Sequence, residues 1–439
     1  MSDHLNIKPY SHSLQPKKEA WLKEAWSKVD VERLSELLTG LVDIPSPTGQ
    51  EGAVAKMAVG AMREAGLIAQ YEEITPTRGN AIGRLNGITE GPHLLFYGHF
   101  DNYISGSSDD PLVVGALDHP SFHPNAIREQ QKIFGAGASN PKAGCAMAMH
   151  ALEIISASKI PLAGKVTIAL ASGGIHKVEL LGAGRPYLGA SFEGMGAGCE
   201  HMLHNGLTAD FCIITKPGYQ VLWEEPGILW IKLSLRGVVG YVAKKGKYKR
   251  PIDEIPVVIE ELNQWFEAYE ESHSNGQVLT PAHIGAIEGG WPYKPDFSPS
   301  VCNLYIDIRV HPDSSNESIL REFEEFIENL KSKNPSLDLT WEPYASIPGT
   351  KTNPESAIVN SLVRAWERIE QSPHGWIPAA GMTDAAILRS WGIPTARLGT
   401  QSFDIGDPSL GFLSGETADL ENMAQVVKAY IYAIIDTCT

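Results

Sequence analysis

The chain has 439 residues, 43% of them hydrophobic and 20% charged, and a formal net charge of −16 at pH 7. Those values describe a water-soluble globular chain with room for two domains. The acidic excess repels a phosphate backbone, which excludes nucleic acid as a partner, and no apolar run approaches the roughly 18 residues of a membrane span.

The five cysteines, Cys145, Cys199, Cys212, Cys302 and Cys438, are odd in number and none has the close spacing of a metal motif. Residues 1–21 lack an apolar signal core. Together these features point to a reducing cytoplasm and no disulfide framework. The basic run from Lys244 to Arg250 reads as a solvated loop in an otherwise acidic chain.

Taken in chain order, residues 17–42 have helical periodicity, with Leu34, Leu37 and Leu38 on the apolar side. A turn-rich break at 44–52 follows, then a second amphipathic helix to about Ala65. Extended segments are expected near 82–85 and at 93–97, the latter running into Gly98-His99-Phe100-Asp101. A helix over 143–158 precedes two unbroken apolar runs, 166–172 and 210–215, of the kind found in strands buried on both faces. This alternation predicts an α/β sheet covered by helices on both sides. From about 225 the pattern changes to alternating strands, 228–237, 303–310 and 337–344, separated by helices over 255–271 and 316–333. These predict an inserted α+β domain of residues 225–346 between two stretches of a main domain, 1–224 and 347–439. A helix from Leu420 closes the chain.

The chemistry-bearing residues fall at the ends of predicted strands, where open α/β sheets bind ligands. His99 and Asp101 are two apart on an extended chain, so their side chains leave the same face, and a carboxylate beside an imidazole fixes its tautomer and raises its basicity. Asn140 and Lys142 lie in Phe134-Gly-Ala-Gly-Ala-Ser-Asn-Pro-Lys142. His176 ends Ala171-Ser-Gly-Gly-Ile-His176, and Lys216 sits in Thr215-Lys216-Pro217. Thr383 and Asp384 belong to Gly381-Met-Thr-Asp384, at the start of a helix. His201 and His204 are three apart without a third ligand nearby, and Cys145 reads as a small buried residue.

In order and spacing, from about residue 30 onward, this set resembles the aminoacylase, glutamate carboxypeptidase and succinyl-diaminopimelate desuccinylase family of di-zinc metallopeptidases. The resemblance implies a zinc-peptidase-like α/β main domain with an inserted α+β lid that commonly mediates dimerisation. It also implies two zinc ions held by histidines and carboxylates, with a glutamate as general base. His99 matches the first histidine ligand and Asp101 its neighbouring aspartate. The bridging aspartate falls on Asn140, the glutamate pair on Gly174 and Ile175, and the next acidic ligand on Lys216. The last histidine should precede Glu416, where the chain has Gly411-Phe-Leu-Ser-Gly. The lid histidine falls on Tyr241. Arg309 matches a lid arginine that binds a substrate carboxylate, and Thr383-Asp384 the family's glycine-rich turn.

Zinc needs N, O or S donors, usually at least three from protein in a catalytic site. Glycine and isoleucine supply none, and a lysine ammonium repels a dication. The expectation is therefore an enzyme without a metal cofactor, acting on a small carboxylate-bearing amide, imine or amino-acid derivative. Lys216, His99, Asp101, Asn140 and His176 would carry the chemistry, and Arg309, Tyr241, Lys142, Thr383 and Asp384 would bind an anionic substrate. Lys216 beside Lys142 would favour its neutral amine. Two other readings stay open: a non-catalytic binding protein, and a hydrolase with a displaced metal site drawn from His99, Asp101, His176, Glu179 and Glu416. A homodimer is expected, because the inserted domain leaves an edge strand that pairing would cover.

Overall fold

The computed structural model of the protein describes residues 14–103, 123–180, 194–244, 246–401 and 416–439. Its larger sheet has six strands in the order Ile68–Thr75, Arg78–Asn86, Ala163–Ala171, Thr89–His99, Phe211–Ile214 and Thr395–Arg397. The first two junctions are antiparallel and the remaining three parallel, so the sheet is mixed. Leu94, Leu95, Phe96 and Tyr97 of the central strand are all buried. Leu94 and Phe96 pack with Met147, Leu152, Met423 and Val427 of the helices Gly144–Ser158 and Leu420–Cys438. Leu95 and Tyr97 pack on the other face with Cys199, Met202 and Leu388. Helices on both faces explain why these strands show no alternation of apolar and polar residues.

The second sheet is antiparallel throughout, in the order Ala282–Gly289, Val301–Val310, Gly227–Arg236 and Asp338–Ile347. Here alternation is plain: Leu229, Ile231, Leu233 and Leu235 point inward with Leu304, Ile306 and Ile308. The helices Pro251–His273 and Asn316–Lys333 cover that face, the second through Ile319, Phe323, Ile327 and Leu330 at helical spacing. Ser315 caps this helix by accepting from the Ser318 amide, an interaction of the kind that contributes about 1 kcal/mol. The chain passes into and out of this region through neighbouring strands, Glu224–Glu225 pairing antiparallel with Thr350–Lys351.

Two local expectations change. The helix expected over 17–42 is two helices, Pro16–Trp26 and Val31–Val42. Asp30 interrupts it, because its carboxylate accepts from the Glu32 amide and caps the second helix. The strand Ala282–Gly289 has no counterpart in the sequence reading; its register slips between Ile284 and Ala286, around Gly285. No helix among the described residues is long and apolar enough to cross a membrane, and all five cysteines are free and buried.

Candidate active site

Three neighbouring parallel strands bring the chemistry together. His99 lies in register with Ala171, and Tyr97 with Ile214. The three carboxyl ends thus present His99 and Asp101, the turn Ser172–His176, and Thr215-Lys216 side by side.

Asp101 is the hub. It is fully buried, and its carboxylate accepts from His99 Nδ1 at 2.9 Å, the Gly174 amide at 2.7 Å, the Ile175 amide at 3.0 Å and Thr48 Oγ1 at 2.9 Å. Burial alone would push this carboxyl upward, but His99 and these donors hold it down at about 2. A second buried carboxylate steadies the same turn: Glu51 Oε1 accepts from the Gly173 amide at 3.0 Å, and Arg78 pairs with Glu51 at 3.3 Å. Gly173 has φ +71°, and a Cβ there would lie 2.2 Å from the Arg78 guanidinium. Gly174 faces the His99 ring, and a Cβ at 174 would lie 2.3 Å from its Cγ.

His99 is 1% exposed, and its Nε2 has no hydrogen-bond partner among the described residues. Burial, then Lys216, lowers its affinity for a second proton against the pull of Asp101. His176 Nε2 is likewise buried and unpartnered among the described residues, and burial with Lys216 and Arg309 lowers that ring to about 3. The Lys216 side chain is 9% exposed. Burial drives its ammonium down, Asp384 opposes that, and Arg397 adds to it. The cation acting on Lys216 is thus Arg397 rather than the expected Lys142. Lys142 is turned away, fully buried, with Nζ donating to the Ile44 carbonyl at 3.0 Å.

The other expected site residues are placed as follows. Asn140 donates through Nδ2 to the Tyr103 hydroxyl, and its backbone amide donates to Glu416 at 3.4 Å. Arg309 pairs with Asp307 at 2.9 Å and acts electrostatically on His176. Asp384 accepts from the Tyr97 hydroxyl at 2.5 Å, and Thr383 donates to Glu225 through both its amide and its hydroxyl. Tyr241 is exposed, its ring 5.6 Å from that of Phe297. His201 and His204 bond within their own helix turn, to Asn205 and the Glu200 carbonyl. The stretch 411–415, where the last zinc histidine was sought, lies outside the described residues. Thr48, Glu51, Arg78, Tyr97, Tyr103 and Arg397 were missed in the sequence reading; they come from four separate stretches of the chain and none carries a local motif.

Among the described residues, the donor set does not fit a pair of zinc ions. Asp101 spends its carboxylate on four donors, Gly174 offers its backbone to Asp101 and its bare Cα to the His99 ring, and Lys216 stands where the resemblance leads one to expect an acidic ligand. Among the described residues, no three His, Cys, Asp or Glu side chains are grouped to hold a metal.

Two outcomes follow. Gly174→Ala forces the His99 ring to shift and should lower stability by about 1–3 kcal/mol in denaturant unfolding, as overpacked cores do; unchanged stability would show that the ring is free to move. Burial raises the Glu416 carboxyl from 4.5 to about 8. The unfolded chain has already lost this proton above its ordinary value, so the stabilising contribution falls as pH rises towards and through about 8. Glu416→Gln should flatten that part of the stability–pH curve; an identical slope in the variant would contradict it.

No family model matches the chain. It is 21% identical to the N-formyl-4-amino-5-aminomethyl-2-methylpyrimidine deformylase of Bacillus subtilis, over 98% of each chain. It is 24% identical to the succinyl-diaminopimelate desuccinylase of Corynebacterium glutamicum, over 89% of this chain and 94% of that one. Among solved structures, a tripeptidase from Staphylococcus aureus superposes with a TM-score of 0.65 at 19% identity, covering 92% of this chain and 98% of that chain. With the order of its strand-end motifs, these near full-length likenesses support placing the chain in the aminoacylase, glutamate carboxypeptidase and succinyl-diaminopimelate desuccinylase family, and the superposition shows the shared fold.

Proposed function

We propose that the protein is a cytoplasmic enzyme acting on the C–N bond of a small carboxylate-bearing amide, without the zinc pair usual for its scaffold. The observation that carries this reading is the buried His99–Asp101 pair, whose Nε2 is unpartnered among the described residues and feels the charge of Lys216. The curated relatives named above are hydrolases by name, one a deformylase and one a desuccinylase, which supports amide chemistry.

In this reading His99 Nε2 is the base. It is neutral, and its lone pair is free to take a proton from an attacking nucleophile, while Asp101 steadies the imidazolium that forms. Lys216 stands where charge develops: charged, it stabilises an oxyanion; neutral, it is itself a nucleophile or base. Asn140 and His176 complete the polar lining. Arg309 takes the substrate carboxylate in a bidentate grip, leaving Asp307 to do so. Thr383, Asp384 and Tyr241 contribute to substrate binding, Asp384 through its influence on Lys216.

Elemental analysis of the purified protein should find less than one equivalent of zinc or other transition metal per chain. Two equivalents, with activity lost on chelation, would contradict the proposal. Once a substrate is in hand, His99→Ala and Lys216→Met should each lower kcat/KM by at least about a hundredfold; full activity in both would move the active site elsewhere.

We also propose that the protein is a homodimer, joined through the segment assigned above to an inserted domain, residues 225–346. Its edge strand Ala282–Gly289 exposes an unpaired backbone row and Ile287, which is 59% exposed. Light scattering should give twice the chain mass at micromolar concentration, and a monomer there would contradict it.

A further inference from the structure

Residues 380–383 form neither helix nor strand, so the turn that carries Thr383 and Asp384 takes its hydrogen bonds from other segments. On one side the Ala379 amide donates to the Gln277 carbonyl at 2.8 Å, and the Leu279 amide donates to the Ala379 carbonyl at 3.1 Å. On the other side Glu225 Oε2 accepts from the Thr383 amide at 3.1 Å and from Thr383 Oγ1 at 2.6 Å. Ile228, Met382 and Ala386 form a small buried apolar cluster there, with Trp230 and Ile347 packed against it. The turn is therefore held almost entirely by residues of the segment 225–346.

Glu225 is 2% exposed. A carboxylate so buried keeps its charge only where donors and a cation meet it. The cation is Arg397, whose Nη1 stands 3.5 Å from Glu225 Oε1. The same guanidinium donates to the Pro217 carbonyl, through Nε at 3.0 Å and through Nη2. Glu225 itself lies in Glu224–Glu225, the short strand by which the chain enters the segment. That strand is tied to Gln277: Glu224 Oε1 accepts from the Gln277 amide at 2.7 Å, and the Gln277 side chain accepts from the Trp223 amide at 3.0 Å and donates to the Val221 carbonyl at 3.1 Å. One carboxylate thus stands where the entry strand, the Thr383–Asp384 turn and the strand end bearing Lys216 meet.

We infer that Glu225 is a positioning residue: from the entry strand it fixes the Thr383–Asp384 turn and, through Arg397, the Lys216–Pro217 strand end, so that a displacement of residues 225–346 reaches the site. The inference rests on the proposed function only in taking Lys216, Thr383 and Asp384 as site residues. A buried pair that merely stabilised the fold would act on the whole chain, whereas a joint protects one turn against local opening.

Amide hydrogen exchange of the full chain, read by mass spectrometry, separates the two roles. In Glu225→Ala, peptides spanning 381–386 should exchange at least about tenfold faster, while those spanning 94–97 and 304–308 in the two sheets stay unchanged. Thr383→Val should speed the same turn by a smaller factor, and adding it to Glu225→Ala should change nothing more, because both break one joint. Gln277→Ala, made within the segment, should also speed the turn. Unchanged exchange at 381–386 in Glu225→Ala, equal acceleration in the sheets, further acceleration in the double variant, or no effect of Gln277→Ala would overturn the inference. If Glu225→Ala does not fold, Thr383→Val and Gln277→Ala decide. Exchange is read without substrate, so such a failure leaves the proposed function standing, whereas full activity in His99→Ala and Lys216→Met would remove that function and leave the joint.

Discussion

The site depends on one buried carboxylate. Asp101 joins the end of the central strand, the loop bearing Thr48 and the turn after the neighbouring strand through four hydrogen bonds. In a low-dielectric interior an ionised carboxylate survives only when its lone pairs are met, and here all are. The same bonds set the His99 tautomer and bring Gly174 under its ring. His99, Gly174 and Asp101 are therefore a single unit, and restoring a glutamate at 174 would require the ring to leave.

A second constraint is charge. Lys216 places an amine where the resemblance leads one to expect an acidic ligand; burial drives its ammonium down, Asp384 opposes that and Arg397 adds to it. The Tyr97 hydroxyl holds Asp384 from behind, and burial raises that carboxyl to about 7. Around the ionised Asp101, burial thus disfavours charge on the His99 and His176 imidazoles, on the Lys216 amine and on the Asp384 carboxyl. Such a set of shifted groups in one place is a mark of functional sites, and it differs in kind from a surface ion pair, which is screened by water.

Much of this was legible in the sequence because strand-end motifs depend on local order. His99 and Asp101 share a face by the two-residue repeat of a strand. Lys216 and His176 follow apolar runs whose length and continuity mark buried strands. The alternating patterns of Gly227–Arg236 and Val301–Val310 likewise announced a sheet with one face covered. What could not be seen was contact between distant segments. Glu51 and Arg78 brace the turn at Gly173 from separate elements, and Lys142, close to Asn140 in sequence, turns its amine into the protein instead of the pocket. Gly174 looks like a lost glutamate in the sequence, but in the structure it is a packing requirement. The strand Ala282–Gly289 escaped notice because its two glycines and its slipped register blur the strand pattern.

The central claim is that His99 is a neutral, unligated imidazole with its proton on Nδ1. Nitrogen NMR of histidine-labelled protein, with the His99 signals assigned by His99→Gln, reads tautomer and metal ligation in one spectrum. The account predicts a neutral ring protonated at Nδ1 and unchanged by a twofold excess of zinc. A protonated Nε2, or a signal that moves to the position of a metal-bound nitrogen when zinc is added, would contradict it.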